Sequence, residues 1–130
     1  MDRLTTSVWL IDDDPLTNFI HSTLLNHYDA SIEVKEFSFA GDALNALKNE
    51  ANRPDLIFLD INMPEIDGWD FLDSFQPMKI NTRLIMVSSS IYIEDIKRAK
   101  SYEAVENFVS KPLTIEHLTH YIPKQQHIKL

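Results

Sequence analysis

Five polar residues of this chain sit where chemistry would need them: Asp12 and Asp13, Asp60, Ser88 and Lys111. Each closes or follows a short apolar run. Asp12 and Asp13 come after Val8–Ile11, Asp60 after Leu56–Leu59, Ser88 after Leu84–Val87, and Lys111 after Phe108 and Val109. Three carboxylates brought within several Å repel by roughly 4 kcal/mol per unit pair at 4 Å and an effective dielectric of about 20, so a cation must compensate them. A hard divalent ion suits oxygen ligands, and Mg²⁺ shares its coordination with water and phosphate oxygens. Asp13 and Asp60 are then candidate direct ligands, with Asp12 acting directly or through water. Such an ion leaves the Asp60 carboxylate as an in-line nucleophile toward phosphorus, giving an acyl phosphate. Ser88 and Lys111 would each hold one phosphoryl oxygen.

For these residues to meet, the apolar runs must be neighbouring strands that end on the same side. The runs Val8–Ile11, Ile32–Phe37, Leu56–Leu59, Leu84–Val87 and Phe108–Val109 alternate with segments of helical spacing. Those segments are Leu16, Phe19, Ile20, Thr23 and Leu24; Ala43, Leu44 and Leu47; Trp69, Leu72 and Phe75; Ile93, Ile96 and Ala99; and Ile115, Leu118, Tyr121 and Ile122. Five strand–helix alternations predict an α/β fold with a parallel sheet covered on both faces. The first, third and fourth runs are continuously apolar, whereas Ile32–Lys35 alternates and Asn107–Ser110 is half polar. Central strands lack polar faces, so the second and fifth strands belong at the edges, in the flavodoxin-like order 2-1-3-4-5. Parallel sheets open their crevice at the carboxyl ends of the strands, where all five residues lie. Asp14-Pro15 predicts a capped start of the first helix. Thr114 predicts a cap for the last, with Leu113 and Leu118 as its staple, and Ser89 or Ser90 is expected to cap the fourth.

Composition narrows the classes. The chain has 130 residues, 44% hydrophobic, which fits one domain with a core over about 7–122 and a short tail over 123–130. Acidic residues number 20 against 12 basic, a formal charge of -8, which argues against direct nucleic acid binding and against anionic membranes. With no cysteine, disulfides and thiolate sites are excluded, and a cytoplasmic location is expected. Residues 1–6 lead into too short an apolar stretch for a signal or a membrane span. Gly41 and Gly68 alone cannot build a glycine-rich nucleotide loop. The histidines His21, His27, His117, His120 and His127 are not expected to ligate metal.

Four motifs taken together resemble a known family. IDDDP at 11–15, DLIFLDINMPEIDG at 55–68, SS at 88–89 and SKP at 110–112 are similar to those of the two-component response-regulator receiver domain. The resemblance spans roughly residues 7–122. It implies that Asp60 is the phosphoacceptor, Asp12 and Asp13 the acidic pair, and Asn62 the donor of a backbone carbonyl to Mg²⁺. It further implies that Ser88 and Phe108 are the switch pair, that Pro112 follows a cis bond, and that the side chains of Asn62 and Ser90 tune the phosphoryl lifetime. Ile91, Tyr92, Lys97, Phe108 and His117 would mark the output face. Partners would be a histidine kinase or histidine phosphotransfer protein and a downstream protein target, with the chain a monomer or weak homodimer. The lack of an effector segment after the fifth helix suggests a stand-alone receiver. Ala104-Val105 departs from the Gly-Ala common in the family. Competing readings remain: a phosphohydrolase, which needs an acid where Asn62 stands; an interaction module that is never phosphorylated; and a flavodoxin, whose phosphate Asp12–Asp14 would repel.

Overall fold

The structure is a computed structural model that describes residues 6–124. The sequence expectations for the far N-terminus and for the tail beyond Lys124 lie outside the described residues. Five parallel strands, β1 (Ser7–Ile11), β2 (Glu33–Phe37), β3 (Leu56–Asp60), β4 (Arg83–Ser88) and β5 (Val105–Ser110), form one sheet in the order 2-1-3-4-5. Four α-helices connect them, α1 (Pro15–Tyr28), α2 (Ala40–Ala46), α3 (Gly68–Phe75) and α4 (Ile93–Lys100), and a fifth, α5 (Ile115–Tyr121), follows β5. This is the expected flavodoxin-like architecture, with β2 and β5 at the edges. The register pairs Ile11 with Phe37 and Leu59, Asp60 with Val87, and Ser88 with Ser110, so the strand ends lie level.

Two apolar layers flank the sheet, because alternate residues of β1, β3 and β4 face opposite sides. Trp9, Ile11, Ile57, Leu59, Leu84 and Met86 pack with α2 and α3 residues such as Ala43, Phe71 and Leu72. Val8, Leu10, Leu56, Phe58, Ile85 and Val87 pack with Leu25 and Tyr28 of α1 and with Leu118 and Tyr121 of α5. Each fully buried side chain of this size stabilises the fold by roughly 1.5–3 kcal/mol relative to exposure, before ordering entropy is subtracted.

Three local expectations need correction. In α1 the residues that point inward are Asn18, His21, Leu25 and Tyr28, while Leu16, Phe19 and Ile20 are exposed. Apolar spacing therefore marked the outer face; the inner face is polar at its first turns because it meets strand-end backbone groups. In α4, Tyr92 occupies the N-cap position with no side-chain bond, so neither Ser89 nor Ser90 caps it. The Ser90 peptide is engaged by Ser88 instead, its carbonyl accepting from Ser88 Oγ at 2.8 Å and its N–H donating back at 3.3 Å. Finally, β5 begins at Val105 rather than near Phe108. A register shift lets Glu106 bulge from the β4–β5 ladder, and its carboxylate accepts from Nε and Nη2 of Arg83, both at 2.7 Å.

The caps at Asp14 and Thr114 are as expected. Asp14 accepts from the Leu16 N–H at 3.0 Å, and Thr114 exchanges bonds with His117 in a capping box. Leu113 and Leu118 are both buried beneath it. At the opposite end of the sheet, the Ala104 N–H donates to the Gln76 side chain at 2.9 Å, which fixes the Ala104-Val105 turn.

Candidate functional site

The strand ends bring Asp12, Asp60, Ser88 and Lys111 to one edge, with Asp13 beside them. Asp12 and Asp60 are 5% exposed and Ser88 is 2% exposed, whereas Asp13 is open to solvent. One carboxylate oxygen from each of Asp12, Asp13 and Asp60 can be chosen so that all three lie within 4.8 Å of one another. Lys111 Nζ reaches into this group, 2.5 Å from Asp12 Oδ2 and 3.0 Å from Asp60 Oδ1. The other Asp12 oxygen accepts the Asp14 N–H at 2.9 Å. Asn62 and Ser89 stand on exposed loops at the rim, and Phe108 is half-buried against the α3-side core.

Each side chain is held by its backbone. The Lys111 N–H donates to the Ser88 carbonyl at 2.8 Å, continuing the β4–β5 ladder past the strands, and the bond from Lys111 to Pro112 is cis. After β3 the chain turns tightly: Gly68 N–H donates to the Ile61 carbonyl at 2.8 Å, and Glu65 takes a left-handed φ of 65°. A Cβ on Gly68 would lie 2.6 Å from the Asp60 carbonyl oxygen and 2.9 Å from Ile61 Cα, so only glycine permits this approach. Asp67 and Asp70 then close a capping box that starts α3.

Electrostatics follow from burial. Desolvation pushes the Asp60 carboxyl up to about 6; the Lys111 ammonium opposes this, and the charges of Asp12 and Asp13 add to it. At pH 7 Asp60 is thus still about nine-tenths ionised, and more basic than a surface carboxylate. Burial works against the Lys111 ammonium, but its hydrogen bonds to Asp12 and Asp60 outweigh that, and its pKa lies above the ordinary value. Burial holds the His21 imidazole below its usual range against the pull of Asp12.

The donor set fits Mg²⁺: three hard carboxylate oxygens close enough to share one small cation, next to a loop that can add a carbonyl. The alternative compensation, Lys111 alone, leaves three anions against one cation.

Comparison with known proteins decides the lineage. The profile of the response regulator receiver domain matches residues 8–123. The chain belongs to the response-regulator receiver family. Among solved structures, this receiver is similar to a two-component response regulator from Cytophaga hutchinsonii, with a TM-score of 0.81 and 34% identity over 92% of this chain and 94% of that one. It is also similar to a response regulator receiver protein from Dyadobacter fermentans, with a TM-score of 0.77 and 28% identity over 92% and 99% of the two chains. Among curated relatives, a probable C4-dicarboxylate response regulator of Priestia megaterium is 26% identical over 91% of this chain and 50% of its own length. The receiver spans about half the length of that relative and of its counterpart in Bacillus subtilis.

Asp12, Asp13, Asp60, Ser88 and Lys111 are therefore neighbours in the receiver, as their strand-end positions required. Three further residues were given no positioning role by sequence reasoning: Asn18, His21 and Gly68. Asn18 and His21 are buried polar groups three residues apart on the inner face of α1, with Leu25 and Tyr28, whereas the apolar spacing of Leu16, Phe19 and Ile20 pointed to the outer face. Gly68 carried only the weak signal of Asp-Gly before a helix.

Proposed function

We propose that this receiver is a phosphoacceptor switch, in which Asp60 takes a phosphoryl group from a phosphohistidine of a histidine kinase or histidine phosphotransfer protein. The observation that supports this most is the convergence of three carboxylates at one strand edge, with Lys111 bridging Asp12 and Asp60. An Asp60 Oδ attacks phosphorus in line as the N–P bond breaks, and the departing imidazole takes up a proton. The product is an aspartyl phosphate and a neutral histidine.

Asp12, Asp13, Asp60 and the Asn62 carbonyl would hold Mg²⁺, which supplies charge neutralisation for the transferred group. The remaining work falls to the chain's own side chains. Lys111 pairs with one phosphoryl oxygen, exchanging part of its contact with Asp12 and Asp60. Ser88 reaches another only by giving up its bond to the Ser90 carbonyl. The driving force is a difference between bonds, not their sum. Exchanging a neutral hydrogen bond worth about 1 kcal/mol for a charge-assisted one worth about 1.5–3 leaves a gain of roughly 0.5–2 kcal/mol at Ser88. Each 1.4 kcal/mol shifts a conformational equilibrium tenfold, so Ser88 and Lys111 together move populations substantially without making the switch absolute.

Release of the Ser90 carbonyl frees the turn before α4, and Phe108 sits beside that element. A cavity of about 320 Å³ at the α4–β5 junction is lined by Ile91, Ile96, Ala99 and Phe108. α4 buries only Ala99, fewer residues than any of the other four helices, which makes it the natural site of a surface change that a target protein reads.

The test is phosphorylation by a small acyl phosphate donor with Mg²⁺, comparing the native chain with Asp60→Ala. Label on the native chain and none on Asp60→Ala is expected. Equal label on both would refute the assignment.

A further inference from the structure

The polar inner face of α1 touches both ends of the site. Asn18, 1% exposed, donates both amide N–H groups to main-chain oxygens, Asp12 at 2.9 Å and Phe37 at 3.2 Å. The Asp12 N–H donates to the same Phe37 oxygen at 3.0 Å, so the ends of β1 and β2 are joined through one asparagine. Its Oδ1 is buried with no hydrogen-bond partner among the described residues. An apolar side chain of similar size would avoid that desolvation cost, so what asparagine brings here is its two donors. One turn further, His21, 4% exposed, accepts the Leu113 N–H on Nε2 at 3.1 Å. Leu113 lies two residues beyond Lys111, across the cis Lys111–Pro112 bond.

We propose that Asn18 and His21 are positioning residues for phosphoryl transfer. Through Asp12 the first fixes the acidic end of the site; through the Lys111–Leu113 turn the second fixes its cationic end. Because both sit on one helix, three residues apart, α1 ties the Asp12 end of the site to the Lys111 end. Neither side chain reaches a reacting atom; each acts through a backbone group of the residue or turn it holds. The proposal rests on the reading of Asp60 as the acceptor.

The two residues have separable signatures. The experiment follows phosphorylation of the full chain by acetyl phosphate across a Mg²⁺ titration, with Mg²⁺ binding measured independently by calorimetry. Asn18→Ala should weaken Mg²⁺ binding and raise the half-saturating Mg²⁺ roughly 10–100-fold, the usual cost of losing an outer partner of a metal ligand, with the maximal rate largely kept. His21→Leu should leave Mg²⁺ binding near the native value and lower the maximal rate. His21→Gln, whose carboxamide oxygen can accept the Leu113 N–H, should restore most of it.

Asn26→Ala is the control: it removes a bond from Asn26 Nδ2 to the Ile32 carbonyl at the far end of the same helix and should change neither parameter. If Asn18→Ala does not fold, Asn18→Leu, which fills a similar volume and keeps neither donor, should show the same rise in half-saturating Mg²⁺. Native values in the Asn18 and His21→Leu variants, or equal losses in Asn26→Ala, would overturn the proposal. Failure of the underlying reading looks different: the native chain takes no label, or Asp60→Ala still does, and both ideas then fall together.

Discussion

Gly68→Ala adds one methyl group at the point where the loop after β3 folds back on Asp60. That carbon would sit 2.6 Å from the Asp60 carbonyl oxygen and 2.9 Å from Ile61 Cα. Both neighbours are backbone atoms at the end of a central strand, so neither can move without disturbing the ladder. Optimal carbon contacts lie near 3.5–4.0 Å, so the overlap approaches 1 Å. Overpacking of this kind costs roughly 1–3 kcal/mol. At roughly 4 °C per kcal/mol for a domain of this length, the melting temperature should fall by about 4–12 °C. Gly41→Ala is the matched comparison. There the added methyl meets only the Phe39 ring, at 2.5 and 2.8 Å, and that ring is 38% exposed and free to swing outward. Helix propensity then favours alanine by up to about 1 kcal/mol, so Gly41→Ala should be neutral or slightly stabilising. Urea titration of both variants at equal m-value provides the reading. A Gly68→Ala variant as stable as the native chain, or equal losses at both glycines, would refute the steric argument.

Further outcomes follow from the site and the caps. Asp60 has a folded pKa of about 6 against a reference of 3.8. A carboxyl raised on folding binds more protons in the native state, so its contribution to stability falls as pH rises from about 4 to 6. Without divalent cations, Asp60→Asn should therefore stabilise the chain at pH 7.5, by at most about 3 kcal/mol and less after solvent screening, with the gain shrinking toward pH 4.5 in urea melts. Mg²⁺ at ten times its dissociation constant should add about 1.4 kcal/mol to the native chain in thermal melts, and Asp13→Asn should abolish most of that increment. Thr114→Ala removes the acceptor of the His117 N–H and should cost about 1 kcal/mol by chemical denaturation, with Mg²⁺ binding unchanged.

The fold was legible because its strands are separated by composition: Leu56–Leu59 and Leu84–Val87 tolerate no polar face, while the second and fifth runs do. The site was legible for a related reason. A charged residue at the carboxyl end of a strand in a parallel sheet has one crevice to enter, which made Asp60 and Lys111 expected neighbours. What stayed hidden depended on backbone partners. Asn18 and His21 look like surface residues on a helix whose apolar stripe is Leu16, Phe19 and Ile20, because the carbonyl of Asp12 and the N–H of Leu113 that they meet leave no mark in a side-chain pattern. The Ser88–Ser90 bond displaced the expected serine cap in the same way. Glu106 could not be placed because a bulge changes which strand face a residue occupies, and alternation cannot foresee it.

Reduction of the phosphorylated chain by borohydride would convert an aspartyl phosphate to homoserine, and tandem mass spectrometry of the resulting peptides tests the central claim most directly. After treatment with acetyl phosphate and Mg²⁺, homoserine should replace aspartate at position 60 and at no other acidic residue. Homoserine at Asp12 or Asp13, or aspartate intact at position 60 in a chain that carries phosphate, would contradict the account.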